Sequence, residues 1–554
     1  MHRPHALIAV LLAAVLLPVG CAGGRQSLDE ALSTINADDI ASRIKTLSSD
    51  DFQGRAPSSP GEEKTVNYLA SEFRMLGLQP GNGDSYFQEV PLVALTADPA
   101  MTLAVRGRGH EERFKYGDQF MAWTLRVAPE SSIDASQMVF VGYGIVAPEY
   151  QWNDYQGLDV HGKTVVMLVN DPGFATKDPA LFKGNAMTYY GRWTYKYEEA
   201  ARQGAAGAFI VHETEPAAYP WDVVRGSWSG EKFQLETEDD NRSRAAVEGW
   251  LTLDSARAVF RQAGLDYEDL KGRAARRGFT AVPMGLKASL AIHNTIRRST
   301  SRNVVAVRPG GERADEAIIY MAHWDHLGQD PSLKGDTIYN GAVDNASGVA
   351  TLLALARAFE SLPQPPQRSV LFLATTAEEQ GLLGSEYYAA HPIVPLDHTI
   401  AVINIDGVDI WGPMKDITIV GYGNSDLDDL LAAAAKAQGR VVRPDPEPEK
   451  GHFYRSDHFT LAKKGVPALY TDAGIDSIEH GEAWGRKMRD AYTAERYHKP
   501  SDEYDASWDL SGAVQDARLL FRVGYRLVSD GAYPDWKPGT EFKATRDAMM
   551  AARK

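Results

Sequence analysis

Cysteine is almost absent: Cys21 is the sole one in 554 residues. No intramolecular disulfide framework and no thiolate metal cluster can form, so any metal must be held by imidazole and carboxylate. Long hydrophobic runs are missing as well. The main one, Ala6 to Val19, has about 14 residues, short of the roughly 20 that a membrane-spanning helix needs. Positive charge is in deficit, with 58 Lys and Arg against 74 Asp and Glu and a net charge of −16, which argues against nucleic acid as a partner. What is present is ordinary globular composition. Hydrophobic residues at 44% and charged residues at 24% exclude a disordered chain.

Residues 1–21 read as a secretory signal: Arg3, with His2 and His5 beside it, precedes the apolar run and the small-residue stretch Gly20-Cys21-Ala22-Gly23. Cys21 resembles the bacterial lipobox, in which the cysteine carries lipid, although Pro18 stands where that pattern has Leu. The expectation is an exported protein, either a periplasmic or secreted one or a lipoprotein anchored to the membrane through Cys21.

Hydrophobic periodicity divides the rest. A helix over Glu62 to Leu76 ends at Gly77, within a first segment 28–136. A second unit, 137–290, carries β-rich runs at Met138 to Val146, Lys163 to Val169 and Gly207 to Val211, a helix ended by Gly204, and a loop from Pro216 to Asp240. From 291 to 535, strands at Asn303–Val307, Ala317–Ala322, Val370–Ala374 and Ile400–Ile405 alternate with helices at Ser347–Phe359 and Leu382–Ala390. That alternation is doubly wound α/β grammar, a mostly parallel sheet flanked by helices, whose ligands sit beyond the carboxyl ends of the strands. Residues 536–554 are expected as a surface tail.

Three of these strands run straight into metal-type residues: His323-Trp324-Asp325-His326, Glu378-Glu379 and Asp406. Asp344-Asn345-Ala346-Ser347-Gly348 opens a helix between the first two, and Tyr497-His498 lies in a polar loop downstream. Each alone is ordinary: an Asp before Asn and Ser caps helices, and a Glu pair at a strand end is a solvated turn. Jointly, so many acidic groups and imidazoles at one sheet edge would repel unless a cation neutralised them.

The set Ala322-His323-Trp324-Asp325, Asp344-Asn345-Ala346-Ser347-Gly348, Glu378-Glu379, Asn404-Ile405-Asp406 and Tyr497-His498 resembles the M28 family of co-catalytic zinc peptidases. Ser456-Asp457-His458-Phe459, Gly465-Val466-Pro467-Ala468 and Gly54-Arg55 are similar to that family too, and residues 137–290 resemble the protease-associated domain that some members carry as an insertion. The resemblance implies two zinc ions, with cobalt or manganese as substitutes: Asp344 bridging, His323 and Asp406 on one ion, Glu379 and His498 on the other. It implies Glu378 as general base beside a bridging hydroxide, Asp325 orienting His323, a cis peptide after Asp344, and Tyr497 at the oxyanion.

The implied activity is that of an aminopeptidase acting on peptides or small proteins. A carboxypeptidase of the glutamate carboxypeptidase type, or a non-catalytic receptor on the same scaffold, is the alternative. The charge balance of the site agrees, since three carboxylates and a hydroxide nearly neutralise two divalent ions. Asp457 and His458 are expected to be structural, and Arg455 is a candidate partner for a substrate carboxylate. Sequences of the H-E-x-x-H, G-x-S-x-G and P-loop types are absent.

Overall fold

The computed structural model describes residues 28–531 and 533–553. The signal and lipobox at 1–21 lie outside the described residues. Among the described residues, no helix is long and apolar enough to cross a membrane.

The centre of the fold is a run of four parallel strands, Arg368–Thr375, Arg313–His323, Thr399–Asn404 and Ala468–Asp472, in that spatial order. Asp416–Val420 and Val441–Pro444 extend one edge; the strand Val282–Arg308 pairs antiparallel on the other. Successive side chains of the central strands alternate between two cores. Ile318 and Tyr320 join Phe372 and Ile403 under the helices Pro60–Leu76, Gly348–Glu360 and Ser511–Ser529. Ile319 and Met321 face Leu373, Val402, Tyr388 and Phe459 on the other side. Burial on both faces explains why these strands read as continuous apolar runs. The helix Pro60–Leu76 stops as expected, at Gly77 in the left-handed conformation (φ 91°).

The 27-residue strand Val282–Arg308 joins two regions of sheet. Its last part pairs with Phe87–Ala97, and its first part with Glu130–Phe140 and Thr102–Gly107. Three expectations need correction here. The boundary at 137 falls inside the second region, because Leu103, Val105, Phe114 and Phe120 bury into one core with Val166 and Phe209. The stretch 216–240 is not all loop: it holds the helix Trp221–Ser227 and the strand Glu231–Leu235, which pairs with Phe87–Ala97. Only Gln234 of that strand is buried, so no apolar period announced it. Nor is the tail a surface extension. Trp536 and Phe542 enter the core behind the central sheet before the helix Lys543–Ala552; two widely spaced aromatics leave no periodic trace.

Candidate metal centre

The parallel strands deliver their terminal residues to one edge. Arg313–His323 ends on His323; Arg368–Thr375 leads into Glu378 and Glu379, and Thr399–Asn404 into Asp406. Asp344 arrives from the turn before helix Gly348–Glu360, and the Asp344–Asn345 peptide is cis. His323 Nε2 lies 3.2 Å from Asp406 Oδ1 and 3.3 Å from Asp344 Oδ1. On the other side, His498 Nε2 is 3.1 Å from both Asp344 Oδ2 and Glu379 Oε2. Asp344 is thus common to two groups of donors, one oxygen toward each.

A fixed frame holds this arrangement. Asp502 accepts the backbone N–H groups of Val343 (3.2 Å) and Asp344 (3.1 Å). Asn345 donates to Ile405 O (3.0 Å) and accepts from Gly348 N and Gly407 N (2.9 Å each), tying the Asp344 turn to the Asp406 strand end. Ser456 Oγ donates to Asp406 Oδ2 at 2.7 Å. Arg55, buried at 1% exposure, donates to the carbonyls of Trp324, Asn340 and Gly341, and so binds two site loops together.

Asp325 serves the site differently from the expectation. Its carboxylate accepts the backbone N–H groups of Glu378 (3.1 Å) and Glu379 (3.3 Å), and stands 3.9 Å from His323 Nδ1, too far for a hydrogen bond. The nearer acceptor for that nitrogen is the Asp325 main-chain oxygen, at 3.1 Å. Tyr497 stacks on His498 with ring centroids 3.9 Å apart. Asp457 and His458 are fully buried beneath the site. Asp457 accepts from Thr375 Oγ1, and His458 packs against Phe453 and Tyr470.

Sequence reasoning missed His326. It is fully buried, with Nδ1 2.6 Å from Glu379 Oε1. Its place in His323-Trp324-Asp325-His326 was the available signal. Asp502, four residues beyond His498, was equally visible and equally unassigned.

The donor set suits a borderline cation such as zinc. Ligand atoms of His323, Asp344 and Asp406 lie within 4.8 Å of one another, as do those of His326, Asp344 and Glu379. Electrostatics points the same way. Burial, with Asp406, Glu379 and Asp457 adding and His323 opposing, pushes the Glu378 carboxyl well above its ordinary range; burial pushes Asp325 up to about 8. Carboxylates crowded in this way without counter-charge are costly.

Imidazoles and carboxylates gathered at the carboxyl ends of a doubly wound, mostly parallel sheet form two groups that could hold metal ions. Residues 303–521 match Peptidase family M28. The chain is 32% identical to the mouse (Mus musculus) aminopeptidase NAALADL1 over 28% of this chain and 19% of that protein. It is 34% identical to aminopeptidase YwaD of Bacillus subtilis (strain 168) over 37% of this chain and 40% of that one. The matched segments therefore span well under half of these two relatives. In fold, the chain is similar to the aminopeptidase from Aneurinibacillus sp. strain AM-1, with a TM-score of 0.50 and 21% identity over 91% of this chain and 97% of that one.

Proposed function

We propose that this protein is an exported di-zinc aminopeptidase that releases N-terminal residues from peptides. The observation that carries the proposal is the pair of donor groups meeting at Asp344. His323, Asp406 and Asp344 would hold one ion; Asp344, Glu379 and His498 would hold the other. Zinc, when bound, supplies Lewis-acid polarisation of the scissile carbonyl and acidifies water at neutral pH.

The chain's own groups do the rest. Glu378 takes a proton from the attacking water on its carboxylate and returns it to the departing amine nitrogen. Asp325 fixes the backbone from which Glu378 projects. The Tyr497 hydroxyl donates a hydrogen bond to the carbonyl oxygen as negative charge grows there. The second sheet region, read from the sequence as 137–290 and reaching back to Thr102 in the fold, acts as a protease-associated insertion, a reading supported by its β-rich sequence. Export rests on the sequence of residues 1–21.

The test pairs free-amine Leu- and Ala-anilides with their N-acetylated counterparts, after zinc has been counted. Two zinc ions, cleavage of the free amines alone, and a loss of about 10³-fold in Glu378→Gln with its zinc retained are the expected results. A fully loaded protein that cleaves no free-amine substrate would overturn the aminopeptidase assignment.

A further inference from the structure

Two arginines without counter-ions meet beside the metal centre. Arg192 comes from the loop before helix Trp193–Arg202, in the second sheet region; Arg455 immediately precedes Ser456, whose hydroxyl holds Asp406. Their neighbours lock these two loops together. Met187 N donates to Pro448 O at 3.0 Å, and the Tyr189 ring packs on Phe459 (5.0 Å) and Tyr454 (6.2 Å).

Arg192 is only 8% exposed, yet neither its guanidinium nor that of Arg455 makes an ion pair or hydrogen bond with any described residue. The buried Nε of Arg192, and the buried Nε and Nη2 of Arg455, are left without a partner. Surrounding groups are mostly neutral: the hydroxyls of Tyr189, Tyr219 and Tyr454 face Arg192, and Tyr219 and Tyr497 face Arg455. Asp445 is the one carboxylate felt by Arg455, and it stands beyond ion-pair distance. Burial and the Arg455 charge push Arg192 down to about 9, and burial lowers Arg455 as well, so two like charges face each other here.

Holding two like charges in partial burial with no anion is costly. A planar guanidinium fork recovers that cost when it meets a carboxylate, which it can bind with two parallel hydrogen bonds. Tyr497, beside Arg455, is stacked on His498, which puts this cationic seam at the mouth of the metal centre.

We infer that Arg192 and Arg455 form a carboxylate-recognition subsite that selects short peptides bearing an anionic group just beyond the scissile bond. This inference rests on the peptidase reading above. The anion is either the terminal carboxylate of a dipeptide or tripeptide, or an acidic side chain following the residue released.

Binding without turnover tests it. Zinc-loaded Glu378→Gln protein is titrated calorimetrically with Leu-Gly-Gly, its C-terminal amide, Leu-Asp amide and Leu-Asn amide. Leu-Gly-Gly is expected to bind about 10- to 100-fold more tightly than its amide. The preference is expected to fall below about 3-fold when Arg192→Met or Arg455→Met is added, and to survive largely in Arg192→Lys. A preference for Leu-Asp amide over Leu-Asn amide instead makes an acidic side chain the source. Because each ratio is internal to one protein, partial misfolding of a variant leaves it readable. Equal or undetectable binding of charged and neutral partners in both pairs, or an undiminished preference in Arg192→Met, overturns the subsite. Failure of the wild type to cleave Leu-anilide would count against the proposed function alone.

Discussion

His326 Nδ1 lies 2.6 Å from Oε1 of Glu379, while His498 Nε2 lies 3.1 Å from Oε2 of the same carboxylate. One imidazole is fully buried; the other is half-exposed and also touches Asp344. The roles they suggest are distinct: His498 offers a nitrogen to a shared cation, and His326 steers the carboxylate that would bind it.

These roles separate by metal analysis. His326→Ala is expected to keep two zinc ions per chain but to weaken the more labile one by about 10- to 100-fold, the usual effect of losing a group that orients a ligand. His498→Ala is expected to drop to one ion. Competition with a chromogenic chelator checks both, and the reverse pattern would exchange the assignments of the two histidines.

Arg55 is expected to be among the costliest residues to replace outside the donor set. Its guanidinium donates to Leu47 O and Asn340 O (2.7 Å each) and to Trp324 O and Gly341 O (2.9 Å each). Arg55→Met leaves the buried carbonyls of Leu47, Trp324 and Asn340 without donors and Gly341 O with Ala346 N alone, for a loss of about 3–5 kcal/mol. Urea unfolding measures the loss. A change below about 1 kcal/mol would show that water replaces the guanidinium there.

Acid stability should depend on Glu316. Burial opposes its ionisation, but hydrogen bonds from Tyr533, Arg368, Arg313 and Arg553 hold its carboxyl down to about 2, against an ordinary 4.5. A folded pKa below the unfolded one adds stability above pH 4.5, and the contribution fades as the pH falls toward 2. Glu316→Gln is therefore expected to cost roughly 3 kcal/mol at pH 7, with the difference from wild type shrinking between pH 4.5 and 2. Unfolding curves at pH 7 and pH 3 check it, and a gap of equal size at both would contradict the assignment.

Removal of metal should loosen the edge of the sheet where the candidate metal ligands gather. Asp344, Glu378, Glu379 and Asp406 converge there, and their mutual repulsion is relieved by a bound cation. Chelation is expected to lower the thermal midpoint by on the order of 5 °C, with recovery on adding zinc. The same chelation applied to an Asp344→Asn protein should move its midpoint much less.

Much of the architecture is local information. The central strands are apolar runs because both their faces are covered, and Ile318 to Met321 advertise that burial without reference to any partner. His323, Glu378, Glu379 and Asp406 were legible for the complementary reason: polar groups that follow such runs immediately must emerge at the strand ends.

What the tertiary structure decided concerns partners. Asp325 looks like a support for His323, yet its carboxylate holds the Glu378–Glu379 backbone, a choice made by the packing of two neighbouring strands. Trp536 and Phe542 find a core that lies elsewhere in the sequence, and the stretch from Thr102 to Trp123 joins a sheet whose strands Val247–Thr252 and Val282–Arg308 come much later. Arg192 and Arg455 carry no sign of each other in the sequence. Periodicity reports whether a side chain is buried; only chain closure sets which charge, ring or carbonyl it is buried against, because that depends on segments the local pattern does not contain.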